Sequence, residues 1–145
     1  MIIELLYQDK FKFDFEKDLF NKYKSRLEKI SRKNLSQFSE KRISQKKIIE
    51  IINNKNKNNY IIILDETGKQ QSTEQFKDII FGSIAKKITF IVGGTNGFTK
   101  NLLEKSDLVI SLSKMTLTHS FAAIILLEQI YRSVTIKINH PYHRK

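Results

Sequence analysis

The stretch Tyr60-Ile61-Ile62-Ile63-Leu64 decides the fold class, because it is a continuous, largely β-branched apolar run. Such a run is typical of a strand that is covered on both faces of a sheet. A helical pattern over residues 72–84 follows it, and a second apolar run then occupies residues 88–92. Strands that alternate with helices in this way predict an α/β fold with a parallel sheet and helices on both faces.

The same alternation extends outward to both ends of the chain. Toward the N-terminus the pattern predicts a strand at 2–7, a helix at 13–30 capped by Asp14, a weak strand at 34–38 and a helix from about Ser44. Toward the C-terminus it predicts a turn at 65–68, a short helix at 99–105, a strand at 108–112 and a last helix ending at about Val134. With 145 residues, 40% of them hydrophobic, the chain fits a single domain over residues 1–145.

Composition excludes several classes of protein. Cysteine is absent, so disulfide frameworks, thiolate metal sites and cysteine nucleophiles are excluded, and no metal is expected. The first apolar run contains Glu4 and has neither a basic leader nor a small-residue cleavage site, which predicts a cytoplasmic protein. The longest apolar run, residues 121–127, is far shorter than the roughly 20 residues of a membrane span, so no membrane segment is expected.

The charge balance points to a polyanionic partner. Lys and Arg number 26 against 15 Asp and Glu, which gives a net charge of +11 and a pI near 9.8. Nucleic acid is the leading candidate for such a partner. Abundant Lys, Asn and Ile are also typical of AT-biased coding, which raises the Lys content without any binding role, and charge alone leaves both explanations open.

Three loops are expected to meet at one edge of the predicted sheet. They follow the strands at 60–64, 88–92 and 108–112, and ligands of open parallel sheets bind outside these carboxyl ends. Gly93, Gly94 and Gly97 in the middle loop would let the backbone approach a ligand closely. The motif is neither a Walker A loop nor a complete GxGxxG, so a phosphate cradle is poorly supported, and a tight strand-to-helix turn is the structural alternative.

The tail Asn139-His140-Pro141-Tyr142-His143-Arg144-Lys145 holds the only Pro of the chain and two of its three His. It follows directly on an apolar segment, residues 121–138, and therefore leaves from the core. Composition alone is balanced between a solvated basic tail and a functional segment.

Four segments together resemble the RlmH family, the SPOUT-class methyltransferases of large-subunit ribosomal RNA, in order and spacing. They are Ile91-Val92-Gly93-Gly94-Thr95-Asn96-Gly97-Phe98, Ser111-Leu112-Ser113-Lys114-Met115-Thr116-Leu117-Thr118-His119, Glu128-Gln129-Ile130-Tyr131-Arg132 and the tail. The resemblance covers essentially the whole chain and is strongest from Tyr60 onward. It implies a C-terminal trefoil knot, a homodimer, and methylation of ring nitrogen 3 of a pseudouridine in 23S rRNA of the assembled ribosome, with S-adenosylmethionine as cofactor.

The resemblance also assigns the cofactor site to the three loops, whose backbone groups hold the cofactor in the family. The matching positions here are Leu64, Gly93, Gly94, Gly97, Ser113, Lys114, Met115, Thr116, Leu117 and Thr118. Leu64, Met115 and Leu117 are expected to supply apolar walls for an adenine, or else to be ordinary packing at strand ends.

The tail is expected to carry the chemistry, because the acceptor nitrogen of neutral pseudouridine must lose a proton. Tyr142, His143 and Arg144 are the catalytic candidates. In this hypothesis Arg144 or Lys145 favours the deprotonated ring, while His143 orients the ring or accepts its proton.

Further residues are candidates for substrate binding, namely Arg132, His119, His140 and Lys145. Arg132 is expected either to hold rRNA phosphate or to tie the tail down, and His119 is more often a structural hydrogen-bond partner than a catalyst. Glu128 stands in an apolar stretch and is expected to pair with an Arg or Lys. The apolar residues 121–127 predict a dimer interface. The resemblance further implies that the tail of one subunit lies over the cofactor loop of the other.

Departures from the family pattern keep other functions open. Ala123 stands where members commonly carry Arg, Thr118 and Ser120 replace prolines, and the first strand runs into Gln8-Asp9-Lys10 without a glycine-containing loop. The main alternative is a basic RNA-binding or ribosome-associated module with the same fold but no activity. A flavodoxin-type nucleotide-binding domain is disfavoured, because residues 8–11 offer no phosphate-binding loop.

Overall fold

Five parallel strands form one sheet in the order β2-β1-β4-β3-β5 in a computed structural model that describes residues 1–34 and 37–144. The elements in chain order are β1 (Ile2–Tyr7), α1 (Asp14–Asn34), β2 (Gln37–Arg42), α2 (Gln45–Asn53), β3 (Asn59–Gln70), α3 (Thr73–Gly82), β4 (Lys87–Val92), α4 (Lys100–Lys105), β5 (Leu108–Ser111) and α5 (His119–Lys137). The prediction of an α/β fold with a parallel sheet is confirmed.

The apolar run of β3 is buried on both faces because helices cover both sides of the sheet. Ile62 and Leu64 pack in the larger core with α1, α3 and α5, whereas Ile61 and Ile63 pack with α2 and α4 on the other face. This division follows from the period of two along a strand, which sends successive side chains to opposite faces. Each fully buried side chain of this size contributes about 1.5 to 3 kcal/mol of stability.

The turn predicted at 65–68 does not end β3. Leu64 and Lys69 both pair with Ile110 of β5, so the intervening residues form a bulge and the strand resumes beyond it. Within this bulge the Asp65 carboxylate accepts hydrogen bonds from the Thr67 amide (3.0 Å) and hydroxyl. Local turn chemistry is therefore present as predicted, but the pairing with β5 carries the strand through it.

The helix ends are mostly set by short polar side chains. Ser44, Ser72, Thr99 and Thr118 each accept a backbone hydrogen bond as N-caps. The prediction that Asp14 caps α1 is wrong, because Asp14 is the first residue of the helix. The amide of the preceding residue donates to Glu16 instead (3.3 Å). The weak strand predicted at 34–38 begins at Gln37, and Leu35 and Ser36 lie outside the described residues.

The end of α5 extends past the predicted Val134 and reverses the chain toward the tail. Asn139 has a φ of 56°, its amide donates to Ile136, and the His140 amide donates to Thr135 (2.9 Å). Paired bonds of this kind around a left-handed residue form a Schellman motif, and Pro141 then prevents the helix from continuing.

We expect Asn139→Val to cost about 1 to 2 kcal/mol of stability, because a β-branched residue is strained in the left-handed conformation. The matched change Asn139→Gly should be neutral or slightly stabilising, since Gly adopts this conformation freely. Urea unfolding of both variants measures the difference. Equal stability of the two variants would show that the chain does not reverse through this motif.

Candidate active site

A cavity of about 700 Å³ opens beside the bulge of β3 and at the carboxyl ends of β4 and β5. The predicted cofactor residues that line it are Leu64, Gly93, Gly94, Gly97, Ser113, Met115 and Leu117. Lys114, Thr116 and Thr118 belong to the same loop but are exposed and do not line the cavity. The three loops expected from the sequence therefore do meet around one space of the size that small-molecule sites have.

Two side chains approach Gly94 closely. A Cβ atom built on Gly94 would lie 2.7 Å from Asp9 Oδ1 and 2.9 Å from Gln8 Cδ. The Gly94 amide also donates to Gln8 Oε1 (3.2 Å), which fixes the glycine loop against the end of β1. The glycine loop therefore lines the cavity while Gln8 holds it from the end of β1.

Sequence reasoning missed the role of Gln8 and Asp9, which it treated only as a departure from the family. Asp9 Oδ2 accepts from the Thr95 hydroxyl (3.3 Å) and lies 3.8 Å from His119 Nε2. His119 itself lines the cavity. The signal that could have revealed this cluster is the position of Gln8 and Asp9 directly after β1, since β1 pairs with β4 and both strands end at the same edge.

The rim of the cavity carries additional charged residues that the sequence did not single out. Asp65 and Glu66 reach it from the bulge of β3, and Lys100 reaches it from the start of α4. Among residues 1–34 and 37–144 there is no group of three or more His, Asp and Glu that could hold a metal ion. In the same part of the chain, no helix combines the length and apolarity needed to cross a membrane.

The described part of the tail, residues 139–144, does not line the cavity of its own chain but packs on the C-terminal half of α5. The Tyr142 ring meets Tyr131 edge-on with centroids 4.7 Å apart, and the Arg132 guanidinium lies 4.8 Å from the Tyr142 centroid. Arg132 NH1 is 3.3 Å from His143 Nδ1. The tail is thus anchored by specific contacts and is not simply a solvated end.

Glu128 lies at the centre of these contacts, and its predicted pairing with an Arg or Lys is confirmed. Its Oε1 accepts from Arg132 Nε (3.0 Å) and from the Tyr142 hydroxyl (2.9 Å). Burial raises the pKa of Tyr142 above its ordinary value, and the hydrogen bonds with Tyr23 and Glu128 raise it further. The Tyr142 phenol is therefore a neutral donor at physiological pH.

The remaining tail candidates differ in their surroundings. His140 is exposed, and its Nδ1 accepts a hydrogen bond from the Tyr142 amide (3.2 Å). Arg144 is exposed to solvent, whereas His143 is partly covered. Lys145 lies outside the described residues.

We expect stability to fall as the pH rises above about 10, the ordinary pKa of tyrosine. Burial and then the Glu40 carboxylate raise the pKa of Tyr7 to about 12, and the pKa of Tyr142 is raised as well. Both phenols hold their protons more tightly in the folded chain, so their contribution is complete below the unfolded pKa and is lost as the pH rises through the folded values. Thermal unfolding between pH 8 and 12 measures the decline. Tyr142→Phe should make it shallower, and an unchanged slope in that variant would contradict the assignment.

Known proteins resemble this chain over nearly its whole length. Residues 1–143 match the family model described as Predicted SPOUT methyltransferase. Ribosomal RNA large subunit methyltransferase H of Prochlorococcus marinus (strain MIT 9215) is 37% identical over 93% of this chain and 90% of the relative. The protein of that name from Dictyoglomus thermophilum is 37% identical over 99% of both chains. A solved structure, a probable methylase family protein from Haemophilus influenzae Rd KW20, aligns at a TM-score of 0.53 over 99% of this chain and 70% of that chain, and at 11% identity it shows a likeness of fold alone.

Proposed function

The chain belongs to the SPOUT methyltransferase family, and from this premise we propose that it methylates ring nitrogen 3 of a pseudouridine in the 23S rRNA of the assembled ribosome. It is a large-subunit rRNA methyltransferase whose cofactor is S-adenosylmethionine. One observation carries the proposal, namely the cavity between the bulge of β3 and the carboxyl ends of β4 and β5, lined by the glycine loop and the loop after β5. A pure RNA-binding module would have no need of this cavity.

The residues around the cavity fit S-adenosylmethionine. Leu64, Met115 and Leu117 line the cavity and can provide apolar walls for the adenine, and Gly93 and Gly94 line it as well. Adenine recognition needs flat apolar contact and a few backbone donors and acceptors, which these loops offer. When bound, the cofactor supplies an electrophilic methyl group.

A homodimer is supported by an apolar surface along the seam between α1 and α5. Ser120 of α5 donates to the buried Glu16 of α1, which joins the N-terminal ends of the two helices. The large exposed apolar side chains on either side of this link are Phe15, Leu19, Phe121 and Ile125. Neighbouring exposed apolar side chains on two helices suit burial against a second copy of the chain.

The placement of the tail also supports a site shared between subunits. His119, at the cavity, and Arg132, at the tail, are separated along α5 by about 20 Å at a rise of about 1.5 Å per residue. A tail held at Arg132 therefore lies far from its own cavity. In the proposed dimer, the tail of one subunit brings Tyr142, His143 and Arg144 over the cofactor of the other.

A trefoil knot is supported by the path of the chain after β5. This strand lies at the edge of the sheet beside β3, whereas α5 packs between α1 and α3. To reach that position, residues 112–118 must cross the connection from β3 to α3. Residues on both sides of this crossing, including Thr67 and Ser113, line the same cavity. We propose that the chain is threaded, and therefore knotted, at this crossing.

The proposed reaction depends mainly on positioning. The loops orient the cofactor, the tail orients the pseudouridine, and alignment of this kind can supply much of the acceleration. Arg144 favours the deprotonated ring electrostatically. Lys145 and His140 contact rRNA, and Arg132 holds the tail to which they belong. A net charge of +11 suits such a partner, and a ribosomal substrate places the protein in the cytoplasm.

Two measurements test this function. Calorimetry with S-adenosylmethionine should detect saturable binding, which Gly94→Val weakens about a hundredfold, equivalent to about 2.7 kcal/mol. Mass spectrometry of 23S rRNA should find N3-methylpseudouridine in cells that contain the protein and not in cells that lack it. Cofactor binding without rRNA methylation would overturn the substrate, and absence of both would leave the non-catalytic RNA-binding module.

A further inference from the structure

The contact between Arg132 and His143 determines which nitrogen of the imidazole carries the hydrogen. Arg132 NH1 lies 3.3 Å from His143 Nδ1. A guanidinium has donors and no acceptor, so Nδ1 must be the acceptor in this hydrogen bond. The hydrogen of a neutral His143 then resides on Nε2, which makes the free edge of the ring a donor.

The surroundings hold Arg132 in this arrangement. Its guanidinium is bound by Glu128 and lies over the Tyr142 ring. The Glu128 carboxylate also accepts from the Tyr142 hydroxyl (2.9 Å) and from the Gln129 side-chain Nε2 (2.7 Å). An N–H group at Nδ1 of His143 would point at the guanidinium N–H groups and could not form this hydrogen bond, so the contact requires Nδ1 to be the nitrogen without a hydrogen.

We propose that His143 acts as a hydrogen-bond donor through Nε2–H and not as a proton acceptor, and that Arg132 is the positioning residue that fixes this role. The proposal rests on the proposed function, in which the tail covers the pseudouridine. Loss of the proton at ring nitrogen 3 spreads negative charge onto the two neighbouring carbonyl oxygens. A donor aimed at one of these oxygens stabilises that charge as it develops.

The proton balance follows from the tautomer. Nε2 already carries a hydrogen and Nδ1 is occupied by Arg132, so His143 has no free site for the proton of the ring nitrogen. That proton leaves to water, and the nitrogen lone pair forms the new bond to the methyl carbon. The bond between this carbon and sulfur breaks, and its electron pair remains on sulfur.

Nitrogen-15 NMR of histidine-labelled protein tests the tautomer without any turnover. His143 should show a protonated Nε2 and an unprotonated Nδ1. Arg132→Met should produce a mixture of tautomers, whereas Lys137→Met, a change in the last turn of the same helix, should leave His143 unchanged. A protonated Nδ1 in the wild-type protein would overturn the proposal.

Methylation of ribosomes by His143 variants tests the role in the reaction. His143→Ala should lose about a hundredfold in rate, as when one donor to a developing oxyanion is removed. His143→Gln, which keeps an N–H group near the position of Nε2, should recover most of that loss. If the Gln variant were as slow as the Ala variant, and both abolished a pH-dependent step of the wild type, His143 would be the base. Absence of methylation in the wild type would instead reject the proposed function, while the NMR result would still stand.

Discussion

Gly68→Ala should destabilise the chain by about 1 to 3 kcal/mol, the range typical of overpacking that forces the backbone to shift. A Cβ atom on Gly68 would lie 2.5 Å from the carbonyl carbon, 2.7 Å from the amide nitrogen and 2.8 Å from the Cα of Ile110. All three are backbone atoms of β5, which pairs with β3 on both sides of the bulge. No rotamer change can relieve the clash, and the two strands would have to separate.

Gly82→Ala is the matched control for this experiment. A Cβ atom on Gly82 would meet nothing within 4 Å, and Gly82 is the last residue of α3. Ala is favoured over Gly in a helix, so this variant should be neutral or more stable by up to about 1 kcal/mol. Urea unfolding measures both changes. A Gly68→Ala variant as stable as the wild type would mean that the bulge does not cross β5 so closely.

The close approach of Gly68 to β5 also shapes the cavity. Asp65, Glu66 and Thr67 line the cavity from the bulge that Gly68 closes. We therefore expect the folded fraction of Gly68→Ala to bind S-adenosylmethionine more weakly, whereas Gly82→Ala should bind it like the wild type. Stability and cofactor binding are linked here because one strand segment serves both.

The elements that the sequence predicted well are those with strong local signals. The apolar run of β3 and that of β4 are each buried on two faces, and a continuous run of β-branched residues has few other stable environments. Ser44 and Ser72 cap the starts of their helices by contacts with residues only three positions away. Signals of this kind need no knowledge of tertiary structure.

The features that the sequence did not predict depend on contacts between distant residues. The continuation of β3 through Asp65–Thr67 requires pairing with β5, and the role of Gln8 requires the glycine loop 86 positions later in the chain. Asp14 had the composition of a cap, but Glu16 supplies the bond that the first turn needs. In each case the local sequence correctly indicated a polar contact but could not identify the residue that forms it.

The tail was likewise predicted only in part from the sequence. Its residue types indicated a functional segment, and Arg132 was expected either to bind phosphate or to hold the tail. Contacts of Arg132 with Tyr142 and His143 show that it holds the tail. Action of the tail on a neighbouring subunit is not encoded in any local sequence pattern, so it is tested with mixed dimers.

Two inactive variants should restore activity when they share a dimer. His143→Ala impairs the tail and Gly94→Val impairs the cavity, and each should lose at least about a hundredfold in ribosome methylation alone. In a mixed dimer with shared sites, one site receives the intact tail and the intact cavity, while the other receives both defects. Random mixing makes about half of the dimers mixed, so about a quarter of all sites should be active.

If each active site were formed within one chain, the opposite result would be expected. If each tail served its own cavity, every site in a mixed dimer would carry one defect, and mixing would restore nothing. The control is a mixture of His143→Ala with Arg144→Ala, two tail variants whose mixed dimers have no site with an intact tail and should stay inactive. Rescue by the first mixture alone requires that the tail anchored at Arg132, about 20 Å along α5 from its own cavity, acts across the dimer. Equal failure of both mixtures, with mixed dimers verified by mass spectrometry, would contradict the shared site while leaving the cofactor cavity intact.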